Sequence, residues 1–266
     1  MSGVAITTSF FASSEAAGTT WSVLRDRLSH RLAMHVPMAG AQLANPRPMV
    51  SFTFDDVPHS AATVGAAALE AYGAHGTFYV SGTLVGERDK FWQHATAAQL
   101  ADLHARGHEL GCHTYSHIRA SDLDPTTLEA EIARNRACFE ELVPGARLAN
   151  FAFPYGVGTF RGKRQLAQHF RTSRSIVPGI NRGRVDLQFL KAVPLIDREI
   201  DRARLDDLMD AAVADNGWLI FFGHDVCRRP SAYGCSEALL DHALKGAKRR
   251  DLAIVSVAEG LQAARI

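Results

Sequence analysis

Three short segments of this 266-residue chain place metal-binding or proton-transferring side chains directly after an apolar run. Met49-Val50-Ser51-Phe52-Thr53-Phe54 is followed by Asp55 and Asp56, and Glu109-Leu110-Gly111-Cys112 by His113 and, four positions on, His117. Trp218-Leu219-Ile220-Phe221-Phe222 runs through Gly223 into His224. Two histidines at i and i+4 meet on one side of a helical turn, where both imidazoles reach a single ion. A carboxylate at the end of a neighbouring strand completes a two-His, one-Asp set. Three protein ligands with an open position describe a catalytic metal site rather than a closed structural one. A fourth segment, Asn150-Phe151-Ala152-Phe153 into Pro154-Tyr155-Gly156, is by itself only a strand entering a turn. Each segment alone has a plainer reading. Asp55 and Asp56 fit a solvated turn with an N-cap, His113 and His117 a surface pair, and His224 the cap of a strand.

The elements that must position these residues follow from periodicity and punctuation. Strands are predicted at 49–54, 76–80, 109–112, 149–153, 172–176, 217–222 and 253–257. Helices are predicted at 61–72, at 97–106 with Gly107 as the stop, and from Pro125 to Leu142 with Asp124 as N-cap. Strands separated by helices imply a mainly parallel sheet, either a barrel or a doubly wound sheet. In both, the C-terminal strand ends face the ligand crevice, and the acidic and imidazole groups fall at those ends. Upstream, 21–34 reads as one helix, with Trp21, Leu24, Leu28 and Leu32 at helical spacing. Asn45-Pro46-Arg47-Pro48 then breaks the chain. This divides it into an N-terminal extension, 1–47, whose helix packs outside, and a main domain, 48–266. The stretch 177–198 is strand-poor and stays unassigned.

Composition sets the bounds. An apolar fraction of 47% and a charged fraction of 21% are those of a soluble globular protein. A formal net charge of +1 gives no reason to expect nucleic acid as a partner. No run approaches ~20 apolar residues, so no membrane span is expected. The opening MSGVAITTSFFASSEAAG lacks the basic region and apolar core of an export signal, which makes the cytoplasm the expected compartment. Cys112, Cys138, Cys227 and Cys235 form no CxxC pair, and a bridge between Cys227 and Cys235 would require an oxidising compartment. The remaining histidines, His94 and His108 among them, are expected in surface or structural roles.

Taken together and in order, the segments resemble the polysaccharide deacetylases, carbohydrate esterase family four, also called the nodulation-type chitooligosaccharide deacetylase homology domain. That family is marked by a TFDD segment, an HxxxH segment with a small hydroxyl residue after the first histidine, an RxPY segment, and a late apolar strand ending in histidine. Here 53–56, 113–117, 152–155 and 219–224 are similar to these, and the resemblance covers about residue 48 to the C-terminus. It implies a distorted (β/α) barrel of about seven strands. It also implies a hydrolase that removes N-acetyl (acyl) groups from an N-acylated sugar or oligo- or polysaccharide. The implied cofactor is one divalent ion, zinc first, with cobalt, nickel or manganese suited to the same donors. By the same resemblance Asp56, His113 and His117 hold the metal and Asp55 is the general base. His224 protonates the departing amine, and the backbone N–H of Tyr155 faces the oxyanion. Pro154, Arg174 and Tyr233 are the substrate-binding candidates, Tyr233 lying with Arg228-Arg229-Pro230 on the loop after His224.

There are two departures. Ala152 stands where the family carries an arginine that holds the catalytic aspartate, and the family's aspartate–tryptophan motif is not recognisable. Arg171 and Arg174, on the next strand, are the candidates for the missing cation. The sequence leaves two other functions open: a metal-dependent amidase acting on a small non-sugar amide, and a non-catalytic sugar-binding protein. Retention of both a base and an acid weighs against the second.

Overall fold

A computed structural model describes residues 20–119 and 122–266. The opening segment read for an export signal lies outside the described residues. Helix α1 (Thr20–His35) and strand β1 (Gly40–Gln42) precede β2 (Met49–Asp55). The chain then alternates through α2 (Ala66–Glu70), β3 (Thr77–Val80), α3 (Ala97–Ala105), β4 (Glu109–Cys112), α4 (Pro125–Leu142), β5 (Asn150–Ala152), α5 (Phe160–Leu166) and β6 (Thr172–Arg174). After β7 (Arg184–Asp186) and β8 (Val193–Pro194) come α6 (Arg202–Ala214), β9 (Trp218–Gly223), α7 (Glu237–Arg249), β10 (Ala253–Ile254) and α8 (Val257–Ala263).

Every residue of β2 and of β9 is buried, as expected of parallel strands covered on both faces. The two pair in parallel from Met49 with Trp218 to Phe54 with Gly223. The other edge of β2 is shared, with β10 at Met49 and Val50 and β3 from Thr53 to Asp55. The strand path is β6-β5-β4-β3-β2-β9-β8, seven parallel strands in a curled sheet backed by helices. One short stretch reaches both ends of this path. Leu190 donates its N–H to Ser173 O and accepts from Ser175 N at the β6 edge. Four residues on, Pro194 pairs with Phe222 of β9, and Leu195 N–H donates to Phe222 O. The distorted barrel expected from the sequence is thereby drawn closed.

Local chemistry accounts for the helix starts. Thr96 and Gln99 form a reciprocal capping box on α3, Ser256 and Glu259 another on α8, and Asp124 accepts from Thr126 N and Thr127 N ahead of Pro125. Boundaries shift where caps intervene. The strand expected at 253–257 stops at Ile254, because Ser256 caps α8. The helix expected at 61–72 begins as a π turn over Ala61–Gly65 and is α-helical only over Ala66–Glu70. The unassigned 177–198 holds β7 and β8.

Helix α1 forms as expected, but Leu28 and Leu32 are exposed, while Trp21 and Leu24 have side chains outside the described set. It faces α5 instead through Ala33 and through His30, whose Nδ1 donates to Gly158 O at 2.9 Å. The buried ammonium of Lys163 donates to Ala33 O and Val36 O, both at 2.7 Å, and pairs with Asp186. A cation at the C-terminal carbonyls of a helix is the favourable end for it. No helix among the described residues is long and apolar enough to cross a membrane.

Candidate active site

The C-terminal ends of β2, β4 and β9 deliver Asp55 and Asp56, His113 and His117, and His224 to one side of the barrel. Asp56 Oδ1 lies 3.2 Å from His117 Nε2 and 3.8 Å from His113 Nε2, and His224 Nε2 is 3.8 Å from Asp56 Oδ2. The backbone at Asp56 is left-handed, φ 58°, which turns its carboxylate away from the strand axis towards the imidazoles. His94, a residue the sequence offered no reason to choose, is buried behind this turn, with Nδ1 donating to Asp56 O at 2.9 Å.

The histidine pair is not on a helical turn, contrary to the expectation from its spacing. Thr114 and His117 both have left-handed backbone, φ 61° and 52°. The amides of Tyr115 and Ser116 donate to the Glu131 carboxylate at 3.0 and 2.6 Å rather than to carbonyls four residues back, and the Ser116 hydroxyl joins them at 3.0 Å. Glu131, buried on α4, thus folds the 113–117 loop from outside. No local pattern in the sequence marks it. His113 Nδ1 donates to Ala152 O at 2.8 Å, which fixes the tautomer and turns the Nε2 lone pair towards Asp56.

Asp55 has a different partner. Arg174, fully buried on β6, places Nη2 2.5 Å from both Oδ1 and Oδ2 of Asp55. The candidate cation is therefore Arg174. Arg171 instead donates to Ile266 O at the C-terminus. The substrate-binding role expected of Arg174 is corrected at the same time, since a guanidinium sealed inside the barrel presents no face to a ligand. Pro154 is likewise buried and serves to set the turn in which Tyr155 takes φ 57°. Tyr155 is half exposed, its ring centroid 4.7 Å from that of His117. Tyr233 is partly exposed, its carbonyl taking the Nδ1–H of His224 at 3.2 Å. Trp92, unmarked in the sequence, lies almost parallel to His224 at 5.2 Å and 11°, with Phe91 and Tyr233 completing an aromatic wall. Trp92 comes to His224 from the loop after β3.

The electrostatics divide the two aspartates. Burial pushes Asp56 up to about 6, with the neighbouring Asp55 charge adding to it. Burial also acts to raise Asp55, but Arg174 with His113 and His224 outweighs it and holds that carboxyl below its ordinary value. Burial lowers His113 to about 3 and His117 to about 4, so both are neutral imidazoles with lone pairs to donate. Asp56 Oδ1 is buried with no hydrogen-bond partner, an uncommon state for a carboxylate oxygen unless something else occupies it. Donor atoms of Asp56, His113 and His117 all lie within 4.8 Å of one another. Ligands at ~2.0–2.2 Å from a tetrahedral ion sit about 3.3–3.6 Å apart, and the observed 3.2 and 3.8 Å bracket that spacing. These residues fit a divalent cation.

The curled parallel barrel, with the aspartate–bis-histidine cluster at its strand ends, can be compared with known proteins. The sequence profile described as "Polysaccharide deacetylase" matches residues 42–169. A chitooligosaccharide deacetylase of Rhizobium leguminosarum bv. phaseoli is 30% identical over 116 residues, 42% of this chain, which spans only 47% of that protein's length. Among solved structures, a family 4 acetyl xylan esterase from Clostridium thermocellum in complex with cobalt superposes with a TM-score of 0.54 at 24% identity, over 80% of this chain and 90% of that one. A CE4 family pseudoenzyme from Bacillus anthracis reaches a TM-score of 0.60 at 14% identity, over 85% and 69%. Over residues 42–169 the chain is similar in sequence to the polysaccharide deacetylases, and its fold is the one these carbohydrate esterase family 4 structures share.

Proposed function

We propose that this protein is a metal-dependent hydrolase that removes acyl groups, acetyl foremost, from an N-acylated sugar or oligosaccharide. The observation that carries this reading is the buried, unpartnered Asp56 Oδ1 facing His113 and His117, with Asp55 and His224 beside them. In it, Asp56, His113 and His117 hold one divalent ion, with zinc suited to the imidazole and carboxylate donors. Such an ion lowers the pKa of water to ~7 and polarises an amide carbonyl. Asp55, kept ionised by Arg174, accepts the proton of the attacking water. The N–H of Tyr155 donates to the oxygen on which negative charge develops, a contact worth on the order of 3 kcal/mol in comparable sites. His224 delivers a proton from Nε2 to the departing nitrogen, which cannot leave as an anion. Its Nδ1–H bond to Tyr233 O and the flat Trp92 ring keep that nitrogen aimed inward. The catalytic unit is residues 48–266.

The test is a panel of N-acetylglucosamine oligomers and small acyl amides, scored by released acetate with zinc, cobalt, nickel or manganese. Acetate from the acylated sugars, abolished by chelation and restored by metal, is expected. Release from small non-sugar amides alone would replace the sugar with another amide substrate. Metal uptake with no acetate from any compound would leave a binding protein.

A further inference from the structure

We infer that Arg174 is the positioning residue that aims Asp55, acting from β6 in place of a cation at Ala152, and that the rings of Tyr79 and Phe222 hold it in register. This deepens the reading above and rests on it. Ala152 of β5 and Arg174 of β6 are direct partners in the parallel ladder, so the cation has moved one strand sideways without changing its level in the barrel. From there it crosses the interior to β2, where Nη2 touches both oxygens of Asp55 at 2.5 Å. Nη1 donates to Ser175 O at 3.3 Å, close to its own backbone.

Two aromatic side chains fix the path. The guanidinium carbon lies 5.3 Å from the ring centre of Tyr79 and 5.1 Å from that of Phe222, within the range of cation–π attraction. Tyr79 has space there because Gly111 follows on β4: a Cβ at Gly111 would stand 2.4 Å from Tyr79 Cδ1. Tyr79 is also the β3 partner of Asp55. Base, cation and clamp therefore come from β2, β6, β3 and β9, and none can swing without breaking contact with another. A general base must present one lone pair at a set angle, and misplacement by about 1 Å can cost on the order of 10²-fold in rate. An arginine that only balanced charge would do so from any direction; this one is held at one.

The test uses the metal-loaded full chain. Arg174→Met should lower kcat on the order of 10²-fold with KM and metal content near wild type, and Arg174→Lys, which keeps charge without the planar head, should fall between. Adding Ala152→Arg to Arg174→Met should return at least about tenfold of the lost kcat, since the two positions are ladder partners. Unchanged kcat in Arg174→Met, or a folded, metal-bound double variant that regains nothing, overturns the inference. A second readout is independent of turnover. In the metal-free protein, Asp55→Asn should recover part of the melting temperature lost in Arg174→Met, because it removes the stranded buried carboxylate. Strictly additive losses overturn the pairing. If Arg174→Met does not fold, Arg174→Lys with and without Ala152→Arg carries the same decision. Absence of acetate release by the wild type sinks the proposed function, while the melting cycle still decides whether Arg174 and Asp55 are coupled.

Discussion

Among the described residues, left-handed backbone at non-glycine positions occurs in two settings, and they are stabilised in opposite ways. Asn216, Asp251 and Arg265 follow the ends of α6, α7 and α8. Each sits in the same hydrogen-bonded helix stop. The amides of Asn216 and Gly217 reach Val213 O and Ala212 O, those of Asp251 and Leu252 reach Lys248 O and Ala247 O, and those of Arg265 and Ile266 reach Gln262 O and Leu261 O. The remaining five, Asp56, Val57, Thr114, His117 and Tyr155, all lie at the candidate site. No helix end supports them. Distant groups support the first four: His94 holds Asp56 O, Ala95 N–H holds Val57 O, and Glu131 holds the loop from Thr114 to His117, while Tyr155 sits in the Pro154 turn closed by Gly156 N–H to Phe153 O. Left-handed conformation costs an ordinary residue about 1–2 kcal/mol. At the helix ends the local bonds offset it, whereas at the site the rest of the fold does, which is the pattern expected where side chains must be aimed.

The largest test of this contrast is Asp56→Gly. It should abolish metal binding and acetate release, yet stabilise the metal-free protein. A carboxyl raised from its ordinary 3.8 to about 6 binds protons more tightly folded than unfolded. Its ionisation therefore opposes folding by about 3 kcal/mol above pH 6, and this burden fades as pH falls towards 4. Urea titrations of metal-free wild type and variant at pH 4, 5 and 7 should show a gap that widens as pH rises, on top of a pH-independent gain from relieving the left-handed backbone, and a gap that does not change with pH would mean that the carboxylate is not strained. Asp55→Asn and His224→Ala come next, each lowering turnover on the order of 10²–10⁴ while metal content holds. Loss of metal in Asp55→Asn with retention in Asp56→Gly would reverse the roles of the pair.

Thr114→Gly should have a smaller and mixed effect. It removes left-handed strain together with a buried hydroxyl that has no partner, so stability should rise by about 0.5–1 kcal/mol after glycine's entropy is counted. The loosened loop should lower turnover about tenfold by letting His113 and His117 wander. Arg265→Gly is the smallest: stability unchanged or up by less than about 1 kcal/mol, with metal affinity and turnover unmoved. Equal functional loss in the last two would erase the distinction between the settings.

What the sequence made legible was local. Apolar runs located β2, β3, β4 and β9 to within a residue, Asp124-Pro125 and Gly107 bounded α4 and α3, and strand-end placement brought Asp55, Asp56, His113 and His224 to the same rim. What it hid depends on closure in three dimensions. Glu131 lies 14 residues or more beyond the loop it folds, on a helix whose pattern gives it no special mark. Trp92 reaches His224 only because the β3 loop bends across the mouth. Arg174 read as a residue that could meet substrate because strand alternation cannot say how far a guanidinium reaches across a barrel. The helical spacing of His113 and His117 misled for a related reason: a distant carboxylate competed for the amides a helix would have used.

The segment from Leu190 to Leu195 engages β6 on one side and β9 on the other. In a curled sheet those are the two strands whose amides and carbonyls would otherwise face outward, each able to template a strand from a second molecule. A single stretch with almost no regular structure of its own therefore guards against self-association at both margins. Shortening it would endanger solubility before it touched the chemistry.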